Sequence, residues 1–481
     1  MKNDRKKSIW KMPSTYLMIV SIVVSVALGV QMFITALLPY KVLTVAAVVI
    51  ALMNVWAACM LWIKKVKPVW KHCAKVLAVM LIVLALLGNT GLYFAGNMVH
   101  KVTDFQVQQE GVSLIVQKQS PITDLLDLSQ EDKLGIYEKL YRDSVDQALG
   151  KMKETVGFVS PVQEYHSINE LADALYQKEV SAIVINEACR DLIRDIYDKF
   201  DEDTRVIHTW KYDVEQKNVS KKIEVTEDAF NVLITGIDTY GGITTVSRSD
   251  VNIIATVNPK THQVLLTSIP RDYYVPIVEG TRSTGGLNGE MDKLTHTGLF
   301  GPDCTVRTLE KVFGIDINYY VKVNFSSLID IVDALGGITV QSEVAFDDFV
   351  AGENKMDGKR ALAFARQRYA FESGDRQRGK NQMKVIEAII EKLARPDFSN
   401  DYMSIFNTVA DGVEMNFSED EIMALIRMQI ADMQGWTVLS SSVDGTGGED
   451  YSALYGGNLY VMYPDEKTVQ AAKAQMDKIM Q

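Results

Sequence analysis

Three long apolar runs, Tyr16–Leu38, Val42–Ile63 and Val76–Val99, constrain this chain before any other feature does. None contains a charged residue, and as a helix each is long enough to cross a hydrocarbon layer of ~30 Å, a length that a helix buried in a globular core rarely needs. Basic residues set the expected orientation. Lys2, Arg5, Lys6, Lys7 and Lys11 precede the first run, and Lys64, Lys65, Lys67, Lys71 and Lys75 lie between the second and third, whereas the other connection holds only Lys41. By the positive-inside rule the N-terminus and the second connection are cytoplasmic, so three crossings leave everything beyond about residue 100 outside the cell. A cleaved signal peptide is the competing reading of the first run. That run exceeds a usual h-region, lacks a small-residue cleavage site and is followed by two more.

Charge divides the chain in the same place. The formal net charge is −11, but residues 1–75 hold eleven Lys or Arg against one acid, leaving the remainder near −21. An acidic exterior argues against nucleic acid as a partner, and a cytoplasmic tail of about fifteen residues is too short for a DNA-binding domain. Any cluster of arginines in the outer part stands out against this background. Cys59 and Cys73 belong to the apolar region, while Cys189 and Cys304 are distant in sequence and are read as unpaired. The six histidines are scattered, with no HExxH and no Cys/His spacing, so a zinc enzyme is unsupported.

The outer part is too long for one typical domain, and its best seam is the polar stretch "EQKNVSKKIE", Glu215–Glu224. Before the seam, "GVSLIVQ" and "SAIVIN" read as strands, and "DSVDQALGKMKETVG", "INELADALYQKEV" and "RDLIRDIYDKF" as helices. This predicts a small α/β accessory domain over 101–225 whose acids lie on solvated helix faces. After it, "NVLITGI", "VNIIATV" and "QVLLTSI" are short apolar strands, with "NPKTH" as a hairpin turn between the last two. Helices are expected at Thr305–Phe313, Phe325–Leu335, Gly358–Arg366, Asn381–Leu393 and Glu419–Met428, and further strands at "YYVKVN", "GITVQS", "WTVLSSS" and "NLYVMYP". The expected fold class is α/β: three transmembrane helices over 1–100, the accessory domain, and a three-layer α/β/α domain with a mixed central sheet over 226–481.

Charged groups in the last domain gather where strands end, the place where open α/β sheets bind ligands. Asp238 follows the first strand, Arg248 and Asp250 precede the second, Arg271 follows the third, and Lys293 stands in "MDKLTH". Arg366, Arg368, Arg376, Arg378 and Gln382 come from "ARQRYAFESGDRQRGKNQ". Two acids among many arginines fit a diphosphate with Mg²⁺ (or Mn²⁺): guanidinium forks bind phosphate oxygens bidentately, and Mg²⁺ needs only one or two carboxylates when phosphate supplies further ligands. The bland alternative is a set of surface ion pairs. Arg366 and Arg368 share a face if "RQR" is extended and diverge if it is helical, so their roles depend on where the preceding helix ends.

The ordered motifs "VLITGIDTYGG", "SRSDVNIIATVNP", "LLTSIPRDYYV", "MDKLTHTGLFG", "YYVKVNFSSLIDIVDALGGITV" and "ALAFARQRYAFESGDRQRGKNQ" resemble the LytR-CpsA-Psr family of Gram-positive cell-envelope phosphotransferases. The resemblance covers about half the chain, and three membrane helices followed by an accessory domain look like the branch found with capsular polysaccharide biosynthesis. It implies transfer of a glycopolymer from undecaprenyl diphosphate to peptidoglycan, forming a phosphodiester and releasing polyprenyl phosphate. It also implies that Asp238 and Asp250 hold Mg²⁺, that Arg271, Lys293, Arg366, Arg368, Arg378 and Gln382 clamp the diphosphate, and that Arg248 lies near the reacting phosphate or the acceptor. Arg378 is preferred to Arg376 because Gln382 lies one helical turn onward on the same face. Competing readings are a lipid diphosphate hydrolase using the same clamp, and a non-catalytic scaffold contacting other capsule-synthesis membrane proteins.

Overall fold

The computed structural model describes residues 13–63, 65–103, 107–138, 140–215, 220–237, 243, 246–280, 287–368, 370–371, 375–393 and 412–481. Two compact units emerge: Met1–Lys101 with Ala394–Asn407 and Ser418–Gln434, and Val102–Leu393 with Thr408–Phe417 and Gly435–Gln481.

The apolar runs form helices α1 (Pro13–Thr35), α2 (Tyr40–Trp62) and α3 (Pro68–Thr103), each long and apolar enough to cross a membrane. Helix α3 begins earlier than the uncharged run, because Pro68 supplies the fixed φ that suits a first turn; Lys71 and Lys75 therefore ride on the helix. Val45 and Leu52 are more than 60% exposed, an apolar outer face that water does not stabilise but lipid does. The inner contact uses small residues, Ala57, Ala58, Ala74 and Ala78. Asn54 is buried there, accepting from the Ser21 hydroxyl at 2.8 Å and donating to Ser25 Oγ at 3.1 Å.

In the second unit the accessory segment forms strands β1 (Val107–Gln117), β2 (Leu134–Tyr137), β3 (Val162–Tyr165), β4 (Ala182–Asn186) and β5 (Thr204–Glu215), in sheet order β3-β2-β4-β1-β5. Four helices accompany them: α4 (Arg142–Val156), α5 (Ile168–Tyr176), α6 (Arg190–Ile196) and α7 (Phe200–Asp203). Expected as one helix, "RDLIRDIYDKF" breaks into α6 and α7 at Tyr197, which leaves the helical region. One sheet face packs Leu114, Val116 and Val184 against Val145 and Met152 of α4. The other packs Ile115, Ile183 and Ile185 against Leu171 and Leu192, and that core continues into Leu299, Phe300, Leu454 and Tyr455 from beyond the seam. Cys189 and Cys304 are unpaired and buried in this same cluster.

The main sheet is mixed and six-stranded. It contains β6 (Phe230–Ile237), β7 (Val251–Asn258), β8 (Gln263–Ile269), β11 (Tyr319–Asn324), β14 (Val413–Met415) and β15 (Thr437–Ser442) in the order β14-β11-β6-β7-β8-β15. Between them in the chain lie short strands β9 (Tyr274–Pro276) and β10 (Met291–Lys293), the pair β12 (Ile338–Ser342) and β13 (Gly352–Met356), and later the hairpin β16 (Gly445–Ser452) and β17 (Gly457–Pro464). The β6–β11 and β8–β15 pairs are parallel, and β6–β7–β8 is an antiparallel meander. Helices α8 (Pro302–Phe313) and α13 (Glu466–Ile479) cover the face of Leu233, Ile254 and Leu265. On the opposite face, α9 (Phe325–Ala334), α10 (Gly358–Arg366) and α11 (Asp375–Leu393) complete the third layer; a Cβ on Gly379 would meet Ser268 Oγ at 2.9 Å. Helix α12 (Glu419–Asp432) belongs to the first unit, where Arg427 Nη1 donates to the Ala36 carbonyl at 2.9 Å.

One expected boundary needs correction, and two of the expected strands pair outside the main sheet. "GITVQS" and "NLYVMYP" are strands but not members of the main sheet; they pair as β12–β13 and β16–β17. β12 buries alternate residues only, the signature of a strand with one covered face rather than of a sheet interior. Helix α11 also begins at Asp375, earlier than expected, and carries Arg376 and Arg378 on it.

Candidate active site

Parallel pairing in the register Asn324↔Ile237 brings the C-terminal ends of β6 and β11 to one edge of the sheet. Asp250 joins them, because its N–H donates to the Gly236 carbonyl at 2.9 Å just as β7 sets out antiparallel to β6. β8 ends at the same edge and hands on to Arg271 and Asp272. A 3-10 turn, Leu294–Phe300, ties these loops together: Ser249 donates to the Thr295 carbonyl and Thr295 to the Arg271 carbonyl, each at 2.9 Å. Gly298 is required there, since a Cβ would sit 2.4 Å from the Ser249 nitrogen.

A cavity of about 790 Å³ opens at this edge. Arg248, Asp250, Arg271, Lys293, Arg366, Arg368, Arg378 and Gln382 all line it, so the structure gathers eight of the nine expected site residues. The ninth, Asp238, lies outside the described residues. Helix α10 ends at Arg366, with Gln367 in an extended conformation, so Arg366 closes the helix and Arg368 follows on the extended segment. Arg376 takes a different course. It pairs with Asp444 at 2.6 Å and donates to the Gly445 carbonyl at 3.0 Å, and it lines a smaller cavity of about 330 Å³ that shares Asp250, Arg271, Arg378 and Gln382 with the first.

The charges are interleaved. Arg271 Nη1 donates to Asp250 Oδ1 at 2.7 Å, and the Thr295 hydroxyl donates to the same oxygen at 3.1 Å. Lys293 forms an ion pair with Asp272, whose other carboxylate oxygen lies 3.9 Å from Arg271 Nε. Arg248 pairs with Asp195, which also accepts the Tyr455 hydroxyl at 2.7 Å. Burial works against the Arg248 charge, but Asp195 and Asp250 outweigh it and hold its pKa above the ordinary value. Burial and the neighbouring Asp195 both push the Tyr455 phenol up, so it stays protonated and donates. Part of the cavity wall is apolar, with Ile237, Val323, Leu328 and Leu362, and the Arg366 guanidinium lies over the Phe325 ring of the same lining at 4.1 Å.

Beneath Lys293 sits a buried anchor that sequence reasoning missed. Asp292 lies 2.8 Å from His296 Nδ1 and accepts from the Ser452 hydroxyl and from the Lys293 and Leu454 N–H groups. Burial alone would raise its pKa, yet His296 and the two N–H groups more than offset that and hold it below the usual carboxylate value. His296, stacked on Tyr455 with centroids 5.4 Å apart, lines the cavity. Asn169, Asp195, Asn458 and Tyr460 line it too. Asp195 and Asn169 belong to the accessory helices, so the expectation that accessory acids only face solvent fails for Asp195.

Magnesium is compatible with this donor set. Asp250 presents a hard carboxylate oxygen at the cavity, one that accepts from Arg271 and Thr295. One or two carboxylates are what Mg²⁺ takes when substrate phosphates and water complete its shell.

An α/β domain with an arginine-rich cavity at its strand ends, in a chain with three long apolar helices, defines a class. The chain belongs to the LytR_cpsA_psr family, whose model matches residues 197–478. The polyisoprenyl-teichoic acid–peptidoglycan teichoic acid transferase TagU of Enterococcus faecalis is 37% identical over 212 residues, covering 42% of this chain and 67% of that protein. TagU of Bacillus subtilis is 38% identical over 212 residues, 43% of this chain and 66% of that one. The matched stretch thus spans about two thirds of these curated relatives. The crystal structure of B. subtilis TagU superposes with a TM-score of 0.41 at 33% identity, covering 53% of this chain and 98% of that one.

Proposed function

We propose that this protein transfers a glycopolymer, most specifically capsular polysaccharide, from a polyprenyl diphosphate to peptidoglycan. One observation carries the reading: six cationic side chains, Arg248, Arg271, Lys293, Arg366, Arg368 and Arg378, converge with Asp250 on one cavity that has an apolar wall. Such a wall suits a prenyl chain and such a cluster suits a diphosphate. Family membership and the transferase names of its relatives support the same chemistry. The capsular branch rests on the three helices and the accessory sheet.

In this reaction an acceptor hydroxyl attacks the sugar-linked phosphorus, the bond from that phosphorus to the bridging oxygen breaks, and polyprenyl phosphate leaves with the electron pair while a proton is released. Arg271, Arg366, Arg368 and Arg378 neutralise the charge that builds on the phosphoryl oxygens and on the leaving group. Lys293 adds a compact point charge, oriented by Asp272. Asp250, with Asp238, would hold Mg²⁺, which when bound adds Lewis-acid stabilisation of the diphosphate. Topology follows the basic residues: N-terminus cytoplasmic, residues beyond the third helix extracellular, with segments 1–100, 101–225 and 226–481 as anchor, accessory and catalytic parts.

The test is transfer itself. Arg271→Ala in the full chain is expected to lower wall-linked polymer, and release of polyprenyl phosphate in vitro, by about a hundredfold or more. Wild-type levels of both would refute the reading. Release without attachment, even when acceptor is saturating, would instead indicate a hydrolase.

A further inference from the structure

Four side chains on one rim of the cavity, Asn169, Asp195, Asn458 and Tyr460, take no part in clamping a diphosphate. Two come from the accessory helices α5 and α6 and two from β17. Backbone bonds fix them together. Ile168 and Asn169 donate to the carbonyls of Leu454 and Tyr455 at 3.4 and 3.3 Å, and a Cβ on Gly457 would lie 3.0 Å from the Asn169 amide nitrogen. The Asn169 amide oxygen is buried without a hydrogen-bond partner, a cost of about 1–3 kcal/mol that a ligand hydroxyl would relieve. Asp195 is 45% exposed on its side chain although it holds both Arg248 and the Tyr455 hydroxyl, and the Tyr460 ring is 53% exposed.

Amides and a carboxylate beside an open aromatic ring are the groups that bind a sugar: the first two satisfy paired hydroxyls, and the ring packs on the C–H face. Position decides which sugar. Arg366 meets the apolar lining through Phe325, at the head of α9 on one face of the sheet, whereas Arg248 meets the polar side chains through Asp195, whose accessory core takes in Phe300 and Cys304 from the side of α8, on the other face. Phosphoryl transfer keeps entering and leaving oxygens roughly in line across phosphorus. The leaving group carries the prenyl chain and belongs at the apolar wall. An entering hydroxyl must therefore arrive over the polar rim.

We propose that this rim is the acceptor-glycan subsite and that the accessory sheet, through Asn169 and Asp195, is a working part of it. The ligand class is a glycan chain whose hydroxyls these amides and this carboxylate can satisfy. Asp195 acts as a positioning residue, holding Arg248 in place and accepting a hydrogen bond from an acceptor hydroxyl. The proposal rests on the transferase reading given above.

The test uses the full chain in detergent micelles with a soluble β-1,4-linked N-acetylhexosamine tetrasaccharide, whose binding is titrated by saturation-transfer NMR. Asn169→Ala and Asn458→Ala are each expected to weaken tetrasaccharide binding by about tenfold. In transfer assays with a lipid diphosphate donor, acceptor KM should rise by the same factor while kcat at saturating acceptor stays within about threefold. Asp195→Asn should lower kcat as well, because Arg248 loses its charged partner. If Asn169→Ala does not fold, as judged by its circular dichroism melt, Tyr460→Ala on the exposed ring carries the same expectation. Failure of the wild-type chain to bind the tetrasaccharide, or unchanged affinity in these variants, overturns the subsite. A wild type that binds the tetrasaccharide through these residues yet attaches no polymer upholds the subsite and refutes the transferase.

Discussion

Replacing Asp292 tests how the site is held in shape. Its carboxylate is fully buried, lies 2.8 Å from His296 Nδ1, and accepts from the Ser452 hydroxyl at 2.9 and 3.1 Å, the Lys293 N–H at 2.7 Å and the Leu454 N–H at 3.1 Å. Those donors belong to β10, the 3-10 turn and the end of β16, so one side chain pins three segments together. Asp292→Ala strands all of them without water and should cost about 3–5 kcal/mol, the usual result of removing one member of a buried charged set. Asp292→Asn keeps the shape but turns an amide against donors, for about 1–3 kcal/mol. Against a total stability of roughly 5–15 kcal/mol, both are large. Urea unfolding of the full chain in micelles, followed by tryptophan fluorescence, should show lower midpoints at unchanged slope.

The pH dependence has a defined sign. Although burial opposes ionisation, the folded pKa of Asp292 lies below its ordinary value of 3.8, so the unfolded chain takes up the proton first. The stabilisation is complete above the unfolded value and is lost as pH falls through the lower, folded one. Wild type should therefore lose stability below about pH 4 more steeply than Asp292→Asn. A loss under ~1 kcal/mol for Asp292→Ala, or parallel acid profiles, would refute the reasoning.

Three further outcomes are expected. Lys322 and Glu414 form a buried pair at 3.1 Å that also receives the Tyr320 hydroxyl, so Lys322→Met alone should cost about 3–5 kcal/mol and the double variant with Glu414→Leu should recover most of it in urea melts. Asn54→Leu removes the polar link between α1 and α2 and should weaken their association by about 0.6–2 kcal/mol, read from energy transfer between labelled helices in liposomes; unchanged transfer would count against that link. Burial pushes the Cys189 thiol up to about 12, so iodoacetamide should modify it only after unfolding, and mass spectrometry showing native labelling at pH 8 would contradict its placement.

The main sheet and the gathering of the arginines at its edge were legible in the sequence because both rest on local rules. Continuous apolar runs such as "VNIIATV" mark covered strands, and charge at strand ends marks the ligand edge. The rim was not legible for a physical reason. Asp195 sits on an amphipathic helix among other acids and differs from Asp191 and Asp198 in meeting Arg248, 53 positions away, and Tyr455, 260 away. Asp292 looked like one more acid in "MDKLTH", and its meaning depends on Ser452, 160 positions onward. The fate of "NLYVMYP" turned on the same issue, since alternation shows that a strand has one wet face but not which strand pairs with it. Long-range pairing is where local pattern stops being informative.

The shared core around Leu454 and Tyr455 bears on how the chain is made. Synthesis proceeds from the N-terminus, so the accessory sheet and its helices are complete in sequence by Glu215, yet their core lacks Leu454 and Tyr455 until the β16–β17 hairpin emerges about 240 residues later. During that interval the accessory core lacks part of its cover, and an apolar surface is open to chaperones and proteases. A chain truncated before residue 454 should for this reason be degraded as a whole rather than survive as a stable accessory fragment.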